Sequence, residues 1–230
     1  MAWSVAVQTS VLGSGASPTS TTAFSGAPAL GHTVLIAVAN TTHNTATVVT
    51  TNNASGPQPI RLGYRQNAGG YRVELWAVRG DGTATTYTAT SSGDTLEILA
   101  IDCTGGLAQP SGMVDSNQST GISSGSTGVT SSGGQPSVTN VNAGDLLVTV
   151  ICLSGTGGTV ATLTATGATL LKEVPASTSW CMAVAYSVLS SVAAQTPYFT
   201  WATSRNWVQM DSLLLPAGAT PAGAGFFAVA

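Results

Sequence analysis

Gly144-Asp145-Leu146-Leu147-Val148-Thr149-Val150-Ile151-Cys152-Leu153 reads as a tight turn running into a strand buried on both faces. The apolar run is too short for a core helix, and it is rich in β-branched side chains, which fit a pleated sheet. A second, less regular version stands earlier, at Gly31-His32-Thr33-Val34-Leu35-Ile36-Ala37-Val38-Ala39-Asn40. In both, a glycine is followed by a polar residue, His32 or Asp145, and then by the core strand.

The segments after each run correspond in order. Val160 to Ala165 matches the Thr/Val-rich stretch Thr41 to Thr51, and Thr169 to Val174 matches Ile60 to Tyr64. Trp180 to Val188 matches Tyr71 to Val78, Tyr198 to Ala202 matches Thr83 to Thr90, and Trp207 to Leu215 matches Thr95 to Asp102. Trp3 to Val7 alternates and reads as a first strand; Val11 to Thr22 and Gly112 to Gly134 read as Ser/Gly/Thr-rich loops. Apolar residues nowhere keep helical spacing for more than two turns. The pattern predicts an all-β chain of two tandem antiparallel β-sandwich units, jelly-roll or Ig-like, related by a weak internal repeat. The expected boundaries are 1–106 for the first unit, 107–217 for the second with its Ser/Gly-rich lead, and 218–230 for a Pro/Gly-rich apolar tail.

Composition narrows the function. Hydrophobic residues make up 43% of the 230-residue chain, enough for real cores. Charged residues are only 7%, against about 25% in an average protein. The net charge is -3 and Lys172 is the single lysine. Arg61, Arg65, Arg72 and Arg79 fall close together, but Glu74 and Asp81 interrupt them. Such a surface does not suit nucleic acid, which asks for clustered Lys and Arg against phosphate. It suits a protein packed against copies of itself and others, because little charge keeps them apart. No basic and apolar leader opens the sequence and no apolar run reaches a membrane span, so synthesis in a cytoplasm without a membrane partner is expected. Cys103, Cys152 and Cys181 are expected as free buried thiols, with a bridge between Cys152 and Cys181, both in apolar strand-like runs, as the alternative.

No catalytic constellation stands out. Gly121-Ile122-Ser123-Ser124-Gly125 fits G-x-S-x-G, but the elbow needs a strand before it and a helix after it. Both histidines, His32 and His43, precede it, which breaks the hydrolase order. They flank the first core strand without carboxylate or thiol at ligand spacing, and read as edge residues. Glu74 and Glu97 alternate with apolar neighbours and read as outward strand positions, not a glycosidase pair. Arg79-Gly80-Asp81 reads as a hairpin turn. No enzyme activity and no cofactor is expected.

Gly-Asp-Leu-Leu-Val-x-Val at Gly144, Gly-Ala-Thr-Leu-Leu-Lys-Glu-Val at Gly167, Trp-x-Met-Ala-Val-Ala-Tyr-Ser-Val at Trp180 and Tyr-Phe-Thr-Trp at Tyr198 together resemble β-sandwich proteins of tailed-bacteriophage virions. The resemblance covers about Gly144 to Leu215 and, loosely, the first unit. It implies a virion structural protein, a capsid decoration (cement) protein on the capsid surface. The implied partners are the major capsid protein and copies of the chain itself in a homo-oligomer. Trp3 and the tail residues Phe226, Phe227 and Val229 are the candidate docking elements. The alternative is a tail, receptor-binding or carbohydrate-binding module, with Trp201 and Trp207 as the candidate stacking residues.

Overall fold

The computed structural model describes residues 3–6, 19–40, 47–67, 70–91, 96–106, 113–114, 123–125, 130–131, 138–140, 142–154, 163–175, 180–202 and 204–219. Among them there is no helix, and every named sheet is antiparallel. The all-β expectation holds.

The two organising stretches form the central strands of two five-stranded sheets. In the first, Thr33–Asn40 (β3) lies between Arg72–Arg79 (β6) and Leu96–Thr104 (β8). Ile60–Gln66 (β5) and Ser4–Ala6 (β1) form its two edges, in the order β1-β8-β3-β6-β5. In the second, Leu146–Ser154 (β11) lies between Trp180–Val188 (β14) and Trp207–Leu214 (β17). Thr169–Pro175 (β13) and Ser123–Gly125 (β9) close that sheet in the order β13-β14-β11-β17-β9. Three short sheets remain. Thr19–Ala23 (β2), Thr86–Thr90 (β7) and Val48–Thr51 (β4) form one in the order β2-β7-β4. Val138–Thr139 (β10) pairs with Ala194–Gln195 (β15), and Thr164–Thr166 (β12) with Tyr198–Thr200 (β16). The loop expected over Val11 to Thr22 thus gives part of itself to β2, because Ser20 and Thr22 point inward while Thr19 and Thr21 face out.

Alternate residues of the central strands serve different cores. Leu35, Ala37 and Ala39 of β3 share one apolar cluster with Val148, Val150 and Cys152 of β11, so the two five-stranded sheets pack face to face. Val34, Ile36 and Val38 point the other way, against Phe24, Val49, Tyr87 and Ala89 of the three-stranded sheet. Ile151 and Leu153 pack on Phe199, Trp201 and Trp207, and Leu147 on Val138, Leu189 and Leu213. A strand covered on both faces carries no apolar-polar alternation, which is why β3 and β11 read as unbroken apolar runs. The largest cluster joins residues from both sides of the expected 106/107 boundary, a feature that two sandwiches each with a core of its own did not anticipate.

The two entry turns have the same construction. Gly31 and Gly144 both hold positive φ, 91° and 93°. The Gly31 amide donates to Gly80 O and the Gly80 amide to His32 O; the Gly144 amide donates to Leu189 O and the Leu189 amide to Asp145 O. The order β8-β3-β6-β5 recurs as β17-β11-β14-β13. Each edge also carries one register shift at the same place, between Arg61 and Gly63 in β5 and between Leu170 and Lys172 in β13. Gly144→Ala should cost about 1–3 kcal/mol, because an L side chain is strained at that φ. Gly26, where an added Cβ meets nothing within 4 Å, should tolerate alanine with little change. Urea denaturation of the two variants checks this.

Trp3 does not stand free for docking. It is 5% exposed, packs in the shared core, and its indole N–H donates to Leu214 O at 3.2 Å. Burying the ring fixes the N-terminal strand against the second sheet. Phe226, Phe227 and Val229 lie outside the described residues.

Candidate functional site

Antiparallel pairing of β5 with β6 brings Arg61 opposite Trp76 and Tyr64 opposite Glu74, with Arg72 opposite Gln66. These positions form the outer face of the first large sheet beside its open edge. Glu74 is fully buried: Arg72 Nε pairs with Oε1 at 2.8 Å as an ion contact outside hydrogen-bond geometry, and the Trp76 indole N–H donates to Oε2 at 3.0 Å. Arg61 comes only within 3.7 Å of the same carboxylate. Its guanidinium rests instead against two rings, 4.9 Å from the centroid of Tyr64 and 5.8 Å from that of Trp76. Arg72 also lies 4.2 Å from the Tyr64 centroid. Ring quadrupoles attract cations in this geometry. Two guanidinium groups and one carboxylate leave a net positive charge whose only solvent-open member is Arg61, since Arg72 and Glu74 are buried.

The sequence placed Arg61 and Arg72 in a broken basic cluster, and Glu74 does neutralise Arg72. Tyr64 and Trp76 as partners of Arg61 were missed. The signal was available only as cross-strand register, which depends on the bulge between Arg61 and Gly63. Trp201 and Trp207, the candidate stacking residues, are 6% and 4% exposed and meet each other edge to face at 6.3 Å. They belong to the core under β12 and β16 and offer no face to a sugar.

Glu74 and Glu97 are not outward strand positions. Both are buried because their strands are covered on both sides. Glu97 lies opposite Ala39, and neither of its carboxyl oxygens has a hydrogen-bond partner among the described residues. Burial pushes its carboxyl up to about 9, so it carries its proton at neutral pH. Asp211 is pushed up to about 7 by burial, against a hydrogen bond from Gln209 Nε2 at 2.9 Å. Glu97 and Asp211 sit on different strands and serve opposite faces of different sheets, so they make no acid-base pair.

The remaining candidates resolve as structure. His32 Nδ1 lies 2.9 and 3.1 Å from the two oxygens of Asp102, and no metal-binding group is found among the described residues. His43 lies outside them. In Arg79-Gly80-Asp81, Asp81 Oδ1 accepts the amides of Thr83 and Ala84, each at 2.8 Å, and Asn53 donates to Oδ2 at 2.7 Å. Burial opposes the charge there, but these hydrogen bonds outweigh it and hold the carboxyl at about 2. Gly80 is walled in, since a Cβ would lie 2.6 Å from Ala29 O. Ser123 falls in β9, paired with β17 and not in a strand-to-helix turn. Cys103, Cys152 and Cys181 are free and buried. Cys152 and Cys181 point to opposite faces of their sheet, one into each core, which keeps them from bonding.

No family model, curated protein or solved structure matches the chain. What the molecule does is therefore argued from its own surfaces.

Proposed function

We propose that the chain is a bacteriophage virion structural protein, a capsid decoration protein that binds the outer capsid lattice through non-covalent contacts. In this reading it is built from two copies of one β-unit packed through equivalent sheet faces. The matched entry turns, strand orders and bulge positions support the duplication.

The observation that carries the functional reading is the character of the surface. In a chain with 7% charged residues, Leu30, Val48, Ile60, Tyr64, Val188 and Val192 stand exposed. Four of them lie in edge strands or at a strand end: Val48 opens β4, Ile60 and Tyr64 lie in β5, and Val188 ends β14. Exposed apolar side chains beside unpaired strand edges are what an assembling protein buries. The major capsid protein and further copies of the chain are the partners this surface suits. The tail from Ala222 to Ala230, with Phe226, Phe227 and Val229, supplies a further apolar segment by its sequence. The receptor-binding alternative loses its stacking residues, since Trp201 and Trp207 are core.

The test is to mix the purified protein with capsids that lack it and count bound copies by quantitative gel and electron microscopy. Copies at regular lattice positions over the whole head are expected. A few copies at the tail, or none, would overturn the decoration role.

A further inference from the structure

We propose that the outer face and free edge of β5 form a binding site for an extended acidic segment of a partner protein, with Arg61 receiving a carboxylate side chain. The proposal takes from the reading above only the idea that strand edges dock.

The two large sheets supply an internal comparison. Aligning Gly31 N→Gly80 O with Gly144 N→Leu189 O, and one bulge with the other, sets Arg72, Glu74 and Trp76 of β6 against Cys181, Ala183 and Ala185 of β14. Arg61 then falls against Leu170. In the second sheet these four positions are apolar and packed beneath Phe199 and Trp201. The architecture is therefore satisfied by small and apolar residues there. In the first sheet the same positions hold two arginines, a carboxylate and an indole, at a desolvation cost that the fold does not require.

Arg61 is the group left over. Arg72 pairs with Glu74 at 2.8 Å and Trp76 donates to it, whereas the Arg61 guanidinium reaches it only at 3.7 Å and makes no hydrogen bond among the described residues. Its side chain is 34% exposed, and the rings of Tyr64 and Trp76 hold it in place. A guanidinium that is fixed in position and makes no hydrogen bond among the described residues loses little entropy on taking a carboxylate in a two-pronged contact. The charge sign is unusual in a chain of net -3 and complements an acidic partner.

The backbone decides between a peptide and other carboxylates. β5 ends its sheet, so its outer side has N–H and C=O groups without a strand partner among the described residues. An added strand takes those groups and places alternate side chains beside Arg61 and Tyr64, which share the outer face and are 34% and 45% exposed. The Tyr64 ring is already occupied by guanidinium groups, which disfavours a sugar ring stacking on it.

The test is an NMR titration of the full chain with the synthetic peptide acetyl-Thr-Val-Glu-Val-Thr-amide, beside its Gln analogue and sodium glucuronate. Expected are saturable shifts in the amides of β5 and the Trp76 indole N–H with the Glu peptide. Affinity should fall about tenfold or more for the Gln peptide, and equally for Arg61→Gln, the loss expected for one charge-assisted contact. Arg61→Lys, which keeps the charge but not the fork, should bind in between. Absence of shifts at β5, or equal binding of the Glu and Gln peptides, would overturn the site. Glucuronate reproducing the shifts where the peptide gives none would overturn the peptide assignment. The titration involves no particle, so its failure leaves capsid binding open, and failure to bind capsids leaves the titration standing.

Discussion

Replacing Glu97 by Leu should make the protein more stable at neutral pH, and the gain should grow with pH. Glu97 is 1% exposed, both carboxyl oxygens lack partners among the described residues, and burial pushes the group up to about 9 from its ordinary 4.5. The folded chain therefore holds the proton while the unfolded chain releases it once the pH passes about 4.5. Between that value and about 9 the unfolded state binds fewer protons than the folded one, so stability falls as pH rises, by about 1.4 kcal/mol for each pH unit. Across the interval from pH 4.5 to 7 this amounts to about 3 kcal/mol, a large part of a net stability of about 5–15 kcal/mol. Leucine is apolar and has no proton to lose. Glu97→Leu should flatten the pH profile, its advantage being about 3 kcal/mol larger at pH 7 than at pH 4.5. Glu97→Gln should flatten it equally but gain less, because an unpartnered amide stays buried. Asp211, raised to about 7, titrates in wild type and variants alike and cancels in the difference. Urea denaturation from pH 4.5 to 8 reads the effect. Parallel profiles for wild type and Glu97→Leu would show that Glu97 does not hold its proton in the fold.

Glu97 also marks where sequence reasoning stops. The apolar runs at β3 and β11 were legible because a doubly covered strand has to be apolar throughout. The span Trp180–Val188 was likewise legible to the residue, and β5, β13 and β17 to within one or two. The strands β2, β9, β10 and β15 were not, since Ser, Thr, Gly, Ala and Gln in short segments give no periodic signal and pair only because a neighbour is present. Glu74 and Glu97 looked outward because each stands between apolar residues, the pattern of a half-exposed strand. Only the third dimension supplies the second cover, and with it the burial of both groups. The same holds for the aromatics: nothing local separates Tyr64, 45% exposed, from Tyr87, 1% exposed in the core. The two central strands were legible. That their two five-stranded sheets pack face to face was not, because an apolar run marks a covered strand and leaves open what covers it.

That packing leads to the second large effect. Cut at the 106/107 boundary, the first half should not persist as a folded monomer. Its face toward the second sheet carries Leu35, Val73, Leu75, Leu99 and Ile101, all 3% exposed or less in the intact chain. Each such side chain contributes about 1.5–3 kcal/mol when buried, so five amount to roughly 10 kcal/mol, as much as the net stability of an ordinary domain. Separation also takes Leu214 O from the Trp3 indole and Trp207 O from the Asn67 amide, which donates to it at 3.1 Å. The three-stranded sheet would still cover the other face through Phe24, Tyr87 and Ala89, and that smaller core has to hold alone a sheet exposed on its larger side. The expected outcome for residues 1–106 expressed alone is association through the bare face. The full chain should unfold in one cooperative transition seen identically by tryptophan fluorescence and far-UV circular dichroism. A well-dispersed NMR spectrum from a monomer of residues 1–106 would mean that each half sustains itself. The shared core would then be a docking of finished domains, whereas its 20 buried residues from both halves, the largest such cluster in the structure, describe a single interior.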